Sequence, residues 1–98
     1  VGTTRLREDT DIQFELKGYP NPVRQEHTLE LSLRHSEKVD IYLEDLYGRI
    51  IKVVESAKGY SPGEHFIKFD TKDLIPGLYR ILVKTSSEVS GYSIVKVE

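Results

Sequence analysis

Apolar side chains recur at every second position through most of the chain. In His27–Arg34 the leucines Leu29, Leu31 and Leu33 alternate with Glu30, Ser32 and Arg34. Lys38–Asp45 repeats this with Val39, Ile41 and Leu43 on one face and Asp40, Tyr42 and Glu44 on the other. Successive side chains of a strand point to opposite faces, so this period predicts half-buried strands with one solvated side. Arg49–Glu55 (Ile51, Val53), Glu64–Asp70 (Ile67, Phe69) and Leu78–Thr85 (Tyr79, Ile81, Val83) continue the series. A first strand near Ile12–Lys17 and a last one over Tyr92–Glu98 bring the expectation to seven. Helical spacing is not sustained in any window, and the only candidate helical turn, Thr71–Leu74, is too short to stand alone.

Turn chemistry falls between these runs. The two prolines of Tyr19-Pro20-Asn21-Pro22 remove ladder donors and hold their predecessors extended, which predicts a stiff crossover. Leu46-Tyr47-Gly48 predicts a tight hairpin with Gly48 at positive φ. Gly59–Gly63 reads as a looser connection, Pro76-Gly77 as the centre of a type II turn, and Ser86–Gly91 as a polar loop. Seven short strands at this spacing predict an all-β, immunoglobulin-like antiparallel β-sandwich. The polar stretch Val1–Thr10 reads as a linker or lead-in, leaving 11–98 as the folded unit.

Composition narrows the function classes. The chain has 98 residues, a formal charge of −2, and no Cys, Met or Trp. Disulfides and thiolate metal sites are therefore excluded. The start at Val1 without Met leads us to expect a piece of a longer protein. Charges are scattered without a basic stripe, so nucleic acid is not an expected partner. No apolar run reaches the ~20 residues of a membrane-spanning helix. His27, His35 and His65 are isolated, and no nucleophile-base pattern accompanies them, so an enzyme is not expected. His65 begins an alternating strand and reads as a partly buried, hydrogen-bonded side chain. Glu8-Asp9-Thr10-Asp11 lacks the glycine and spaced acids of a calcium loop and reads as solvated linker. No cofactor or metal is expected.

Leu74-Ile75-Pro76-Gly77-Leu78-Tyr79 is the sharpest local signal. A tyrosine at the start of a late sandwich strand can bond back to the preceding crossover as a tyrosine corner. Leu74 would plug the end of the core, and Asp70 would accept backbone N–H groups in an Asx turn. Tyr42, Leu82 and Phe66 fall on outward positions and would mark a docking face if they cluster on one sheet.

The order Tyr19-Pro20-Asn21-Pro22, Gly48, Gly63-Glu64-His65, Asp70, Leu74, Gly77 and Tyr79, then a terminal strand with Lys96, resembles the type A C-terminal sorting domain of type IX secretion substrates. The likeness runs from about Phe14 to Glu98. It implies a passenger N-terminal in the same chain, transit through the periplasm, and recognition by the outer-membrane secretion machinery. The passenger is then released or attached at the cell surface. It also implies that much of the targeting information lies in the last two strands, here Gly77–Glu98. In many members a sortase cuts in the linker before the first strand, for which Gly2-Thr3-Thr4 is the candidate region here. The central hairpin carries Gly48-Arg49 where the family often has a Lys-Gly or Gly-Lys pair, and Ser93 stands where its terminal strand usually has Lys. The alternative is a fibronectin III-like or other immunoglobulin-like structural or adhesive module of a surface protein. Sandwich edges also leave a second copy of the chain as a candidate partner.

Overall fold

The computed structural model describes residues 14–98, and these form seven antiparallel strands in two sheets. The strands are β1 (Phe14–Tyr19), β2 (Glu26–Leu33), β3 (Glu37–Glu44), β4 (Ile50–Tyr60), β5 (Gly63–Asp70), β6 (Gly77–Lys84) and β7 (Val89–Lys96). One sheet has the order β1-β2-β5 and the other β4-β3-β6-β7. The expectations placed on Val1–Thr10, including Gly2, Thr3 and Thr4, lie outside the described residues, as does Ile12.

The core follows from the alternation. Leu29, Leu31 and Leu33 of β2 meet Val39, Ile41 and Leu43 of β3 and Ile81 and Val83 of β6 between the sheets, all essentially inaccessible to water. Each such side chain contributes roughly 1.5–3 kcal/mol on burial. Ile67 and Phe69 of β5, Ile94 of β7 and Phe14 of β1 complete the layer.

Three segments depart from expectation. β4 is longer than Arg49–Glu55, and Ile51 and Val53 point outward, 45% and 53% exposed, while Val54 packs on the core. The cause is a set of register shifts against β3, with Tyr42 opposite Val53 but Ile41 opposite Glu55. An extra residue on one strand reverses which side chains face inward. Ala57, at φ 49°, lies in this irregular stretch, and its N–H donates to Asp40 Oδ1 at 2.7 Å. Second, Gly59 and Gly63 belong to strands, so only Ser61 and Pro62 separate β4 from β5 as the chain changes sheets. Third, β7 starts at Val89, so the loop of the β6–β7 hairpin is shorter than Ser86–Gly91; it closes with Thr85 N–H donating to Glu88 O at 2.8 Å.

Candidate functional site

The crossover after β1 turns back along the outer edge of β7. Asn21 Oδ1 accepts from Val95 N–H at 2.9 Å, and Asn21 Nδ2 donates to Ser93 O at 3.2 Å. Two residues on, Val23 N–H donates to Val95 O at 2.8 Å, and Val97 N–H donates to Val23 O at 2.9 Å. Val23 itself is fully buried. A side-chain amide followed by a backbone amide thus imitates a paired strand, giving a parallel bridge between Val23 and Lys96. The peptide bonds preceding Pro20 and Pro22 are both cis.

Lys96 turns inward beneath this strap. It is 5% exposed, and its Nζ donates to Arg24 O, while Arg24 Nη1 donates to the Glu98 carbonyl. Gln25 O accepts from Thr71 N–H at 2.6 Å and from Thr71 Oγ1 at 2.9 Å. The strap is thereby fixed to the crossover after β5 as well as to β7.

A polar cluster lies under the start of the strap, where sequence reasoning left His27 isolated. His27 is fully buried, with Nδ1 3.1 Å from Pro20 O and Nε2 2.8 Å from Tyr92 Oη. Pro20 O can only accept, so Nδ1 carries the proton and Nε2 accepts from the Tyr92 hydroxyl. Burial holds the His27 imidazole below its ordinary pKa despite its bond to Pro20 O, and burial raises the Tyr92 phenol. Gly18 faces the pair from β1: a Cβ there would sit 2.0 Å from Tyr92 Oη and 2.5 Å from His27 Nε2.

The late-strand corner forms as expected. Tyr79 Oη donates to Ile75 O at 2.6 Å, and Leu74 closes the core. Asp70 Oδ1 accepts from Lys72 N–H at 2.8 Å, and Leu74 N–H donates to Thr71 O at 3.0 Å in one helical turn. Gly77, however, has φ 156°, far from the roughly +80° of a type II turn, so the turn is of another kind. Gly77 instead opens β6 opposite Lys96.

At the β3–β4 hairpin, Gly48 has φ 79° and its N–H donates to Asp45 O at 3.1 Å. Asp45 Oδ1 accepts from the Tyr47 and Arg49 amides, and Arg49 Nε meets Oδ2 at 2.7 Å. Burial would raise the Asp45 carboxyl, but the Arg49 and Tyr47 hydrogen bonds outweigh it and hold the group below its ordinary range. At the β4–β5 junction, Gly63 opens β5 and His65 Nε2 donates to Ser61 O at 2.7 Å, with its ring against Tyr60.

The outward residues divide between the sheets. Val53, Tyr42 and Leu82 lie in one cross-strand row on the four-stranded sheet, and Leu78 and Val95 pair farther along, beyond the row of Glu44, Arg80 and Ser93. Phe66 faces out from the other sheet, opposite Glu30. Among the described residues, no group of His, Asp or Glu is arranged to hold a metal ion.

The pattern residues therefore gather at four places. Asn21, between Pro20 and Pro22, and Lys96 meet at β7, while Tyr19 ends β1 and donates from Oη to Glu30 Oε2 at 2.6 Å; Asp70, Leu74, Gly77 and Tyr79 form the corner. Gly48 sits at one hairpin, and Gly63 and His65 sit at the β4–β5 junction.

An antiparallel sandwich of three and four strands, with its early crossover strapped to its last strand, has an immunoglobulin-like fold. A solved structure with the same fold is the CARDB domain of the PF1109 protein from Pyrococcus furiosus, in complex with di-metal ions. It is 20% identical, with 89% of this chain and 88% of that chain covered and a TM-score of 0.57, a likeness of fold alone. Comparison with curated proteins finds no match. The chain belongs to the secretion system C-terminal sorting domain family, whose model matches residues 17–97. Domains of this family are targeting modules of type IX secretion, carried on a passenger that reaches the cell surface or the extracellular space.

Proposed function

We propose that this domain is the address of a passenger joined to its N-terminal side, read in folded form by the outer-membrane type IX machinery after transit through the periplasm. The observation that supports this reading most is the convergence on β7. Asn21 and Val95, 74 residues apart, meet there, and the matched family region extends from one partner through the other. On this reading 11–98 is the sorting unit and 1–10 is the linker. A sortase would cut in the region of Gly2, Thr3 and Thr4.

The machinery would meet the outer face of the four-stranded sheet, where Val53, Tyr42 and Leu82 form an apolar row and Leu78 lies on the same face of β6 beyond Arg80. An immunoglobulin-like spacer or adhesive module shares the fold and is the competing reading. The test is export of a signal peptide–reporter–domain fusion carrying Val53→Lys and Leu78→Lys. Both positions are exposed (53% and 43%), so folding should be kept. Export of the unaltered fusion and periplasmic retention of the folded variant are expected. Equal export would remove the docking face while leaving the sorting role in place, and periplasmic retention of both would favour the spacer.

A further inference from the structure

Each sheet of a sandwich ends in two edge strands whose unpaired backbone groups can recruit another strand. The edges here are β1, β5, β4 and β7. Three of them carry the usual protection against pairing. β1 has Glu15 and Lys17, and β5 has Glu64, Lys68 and Asp70. β4 has Lys52 and Lys58 together with register shifts against β3. Charges and irregularities of this kind discourage edge-to-edge association.

β7 has neither device. From Val89 to Val95 it reads Val-Ser-Gly-Tyr-Ser-Ile-Val, without a charge or a proline. Its outward side chains Val89 and Val95 are 60% and 39% exposed. A window without charge or proline, carrying Tyr92, Ile94 and Val95, lacks the gatekeepers that stop a strand from pairing with copies of itself. The one nearby charge of the strand, Lys96, is turned under the strap and is not displayed along the edge. This least protected edge is the one that Asn21 and Val23 cover. They satisfy Ser93 O, Val95 N–H, Val95 O and Val97 N–H in sequence. The first four residues of β7, Val89–Tyr92, lie beyond these four bonds, and four residues fall short of an ordinary strand of about 5–6.

We propose that the Tyr19–Gln25 strap is an edge guard that keeps β7 from pairing with β7 of a second copy of this chain. Asn21 is a positioning residue in this device, acting through the backbone of β7. The guard does not depend on how the domain is recognised, and it would serve a spacer equally well.

The experiment is sedimentation of the 98-residue chain and its Asn21→Ala variant over a range of concentrations, with amide exchange followed at Val95. The unaltered chain should be a monomer. The variant should remain folded by circular dichroism, exchange the Val95 amide about tenfold or more faster when dilute, and dimerise as concentration rises. Adding Val95→Lys should return the variant to a monomer by placing a charge on the exposed edge strand. If Asn21→Ala fails to fold, Asn21→Leu decides, since it keeps side-chain bulk and loses both the acceptor for Val95 N–H and the donor to Ser93 O. A monomeric variant with a freely exchanging Val95 amide would overturn the proposal. So would an unaltered chain that already dimerises through β7.

Discussion

Gly18→Ala tests the packing beneath the strap. The added methyl would lie 2.0 Å from Tyr92 Oη, 2.6 Å from Tyr92 Cζ and 2.5 Å from His27 Nε2. A ring in a packed interior cannot yield by rotating a flexible tail, so the strands must separate or Tyr92 must leave its place. Overpacking of this kind costs about 1–3 kcal/mol. Moving Tyr92 also breaks its 2.8 Å bond to His27, leaving a buried acceptor unsatisfied at a further cost of about 1–3 kcal/mol. A total near 3 kcal/mol is a large share of the roughly 5–15 kcal/mol that holds a domain folded. With a urea m-value of about 1–1.5 kcal/mol/M, the unfolding midpoint should fall by about 2–3 M. Tyr92→Phe removes the nearest atom, so Gly18→Ala/Tyr92→Phe should be less destabilised than the sum of the single changes, with a coupling of about 1 kcal/mol. A midpoint shift under about 0.5 M, with additive singles, would refute the close approach of Gly18 to the His27–Tyr92 pair.

Three other outcomes follow from the same geometry. Tyr79→Phe keeps the ring and loses the bond to Ile75 O, so stability should drop by about 0.5–1.5 kcal/mol in denaturant titration; no change would remove the tyrosine corner. His27 is held below its ordinary pKa of 6.5, so below pH 6.5 the unfolded chain binds more protons than the folded one. That contribution is complete above pH 6.5 and is lost as pH falls from there toward the lower folded value, with a limiting slope of about 1.4 kcal/mol per unit. Urea midpoints that stay level or rise on acidification through this window would contradict it. Asp45→Asn should flatten the acid limb of stability, because the carboxylate accepts from Arg49 and Tyr47. That contribution is present above the ordinary aspartate range and is lost as pH falls through the depressed folded value, so an unaltered acid limb would refute it.

Alternation made β2, β3, β5 and β6 legible because their inward residues repeat without interruption, and Tyr79 was legible because its bond to Ile75 is local. β4 was not, since a register shift leaves no mark in composition and makes Val53 and Val54 exchange faces. The start of β7 looked like a loop because Ser90 and Gly91 lack strand character, although both pair with β6. The strap's destination had no local signal at all: Asn21 and Val95 meet only through the closed fold. The His27 cluster did leave a trace. His27 occupies the inward phase of β2, two residues before Leu29, and Gly18 holds the same phase in β1 as Leu16. A polar residue and a missing side chain at core positions together point to a buried polar contact.

The sorting role itself is tested most directly by fusing Val1–Glu98 behind a signal peptide and a neutral fluorescent reporter in type IX-competent cells. An isogenic translocon-deficient strain and a fibronectin III-like sandwich of similar size are the controls. Sorting predicts surface or medium reporter from this chain alone, lost in the deficient strain, with the reporter's size showing whether the linker is cut. A folded fusion held in the periplasm of competent cells, indistinguishable from the control sandwich, would contradict it.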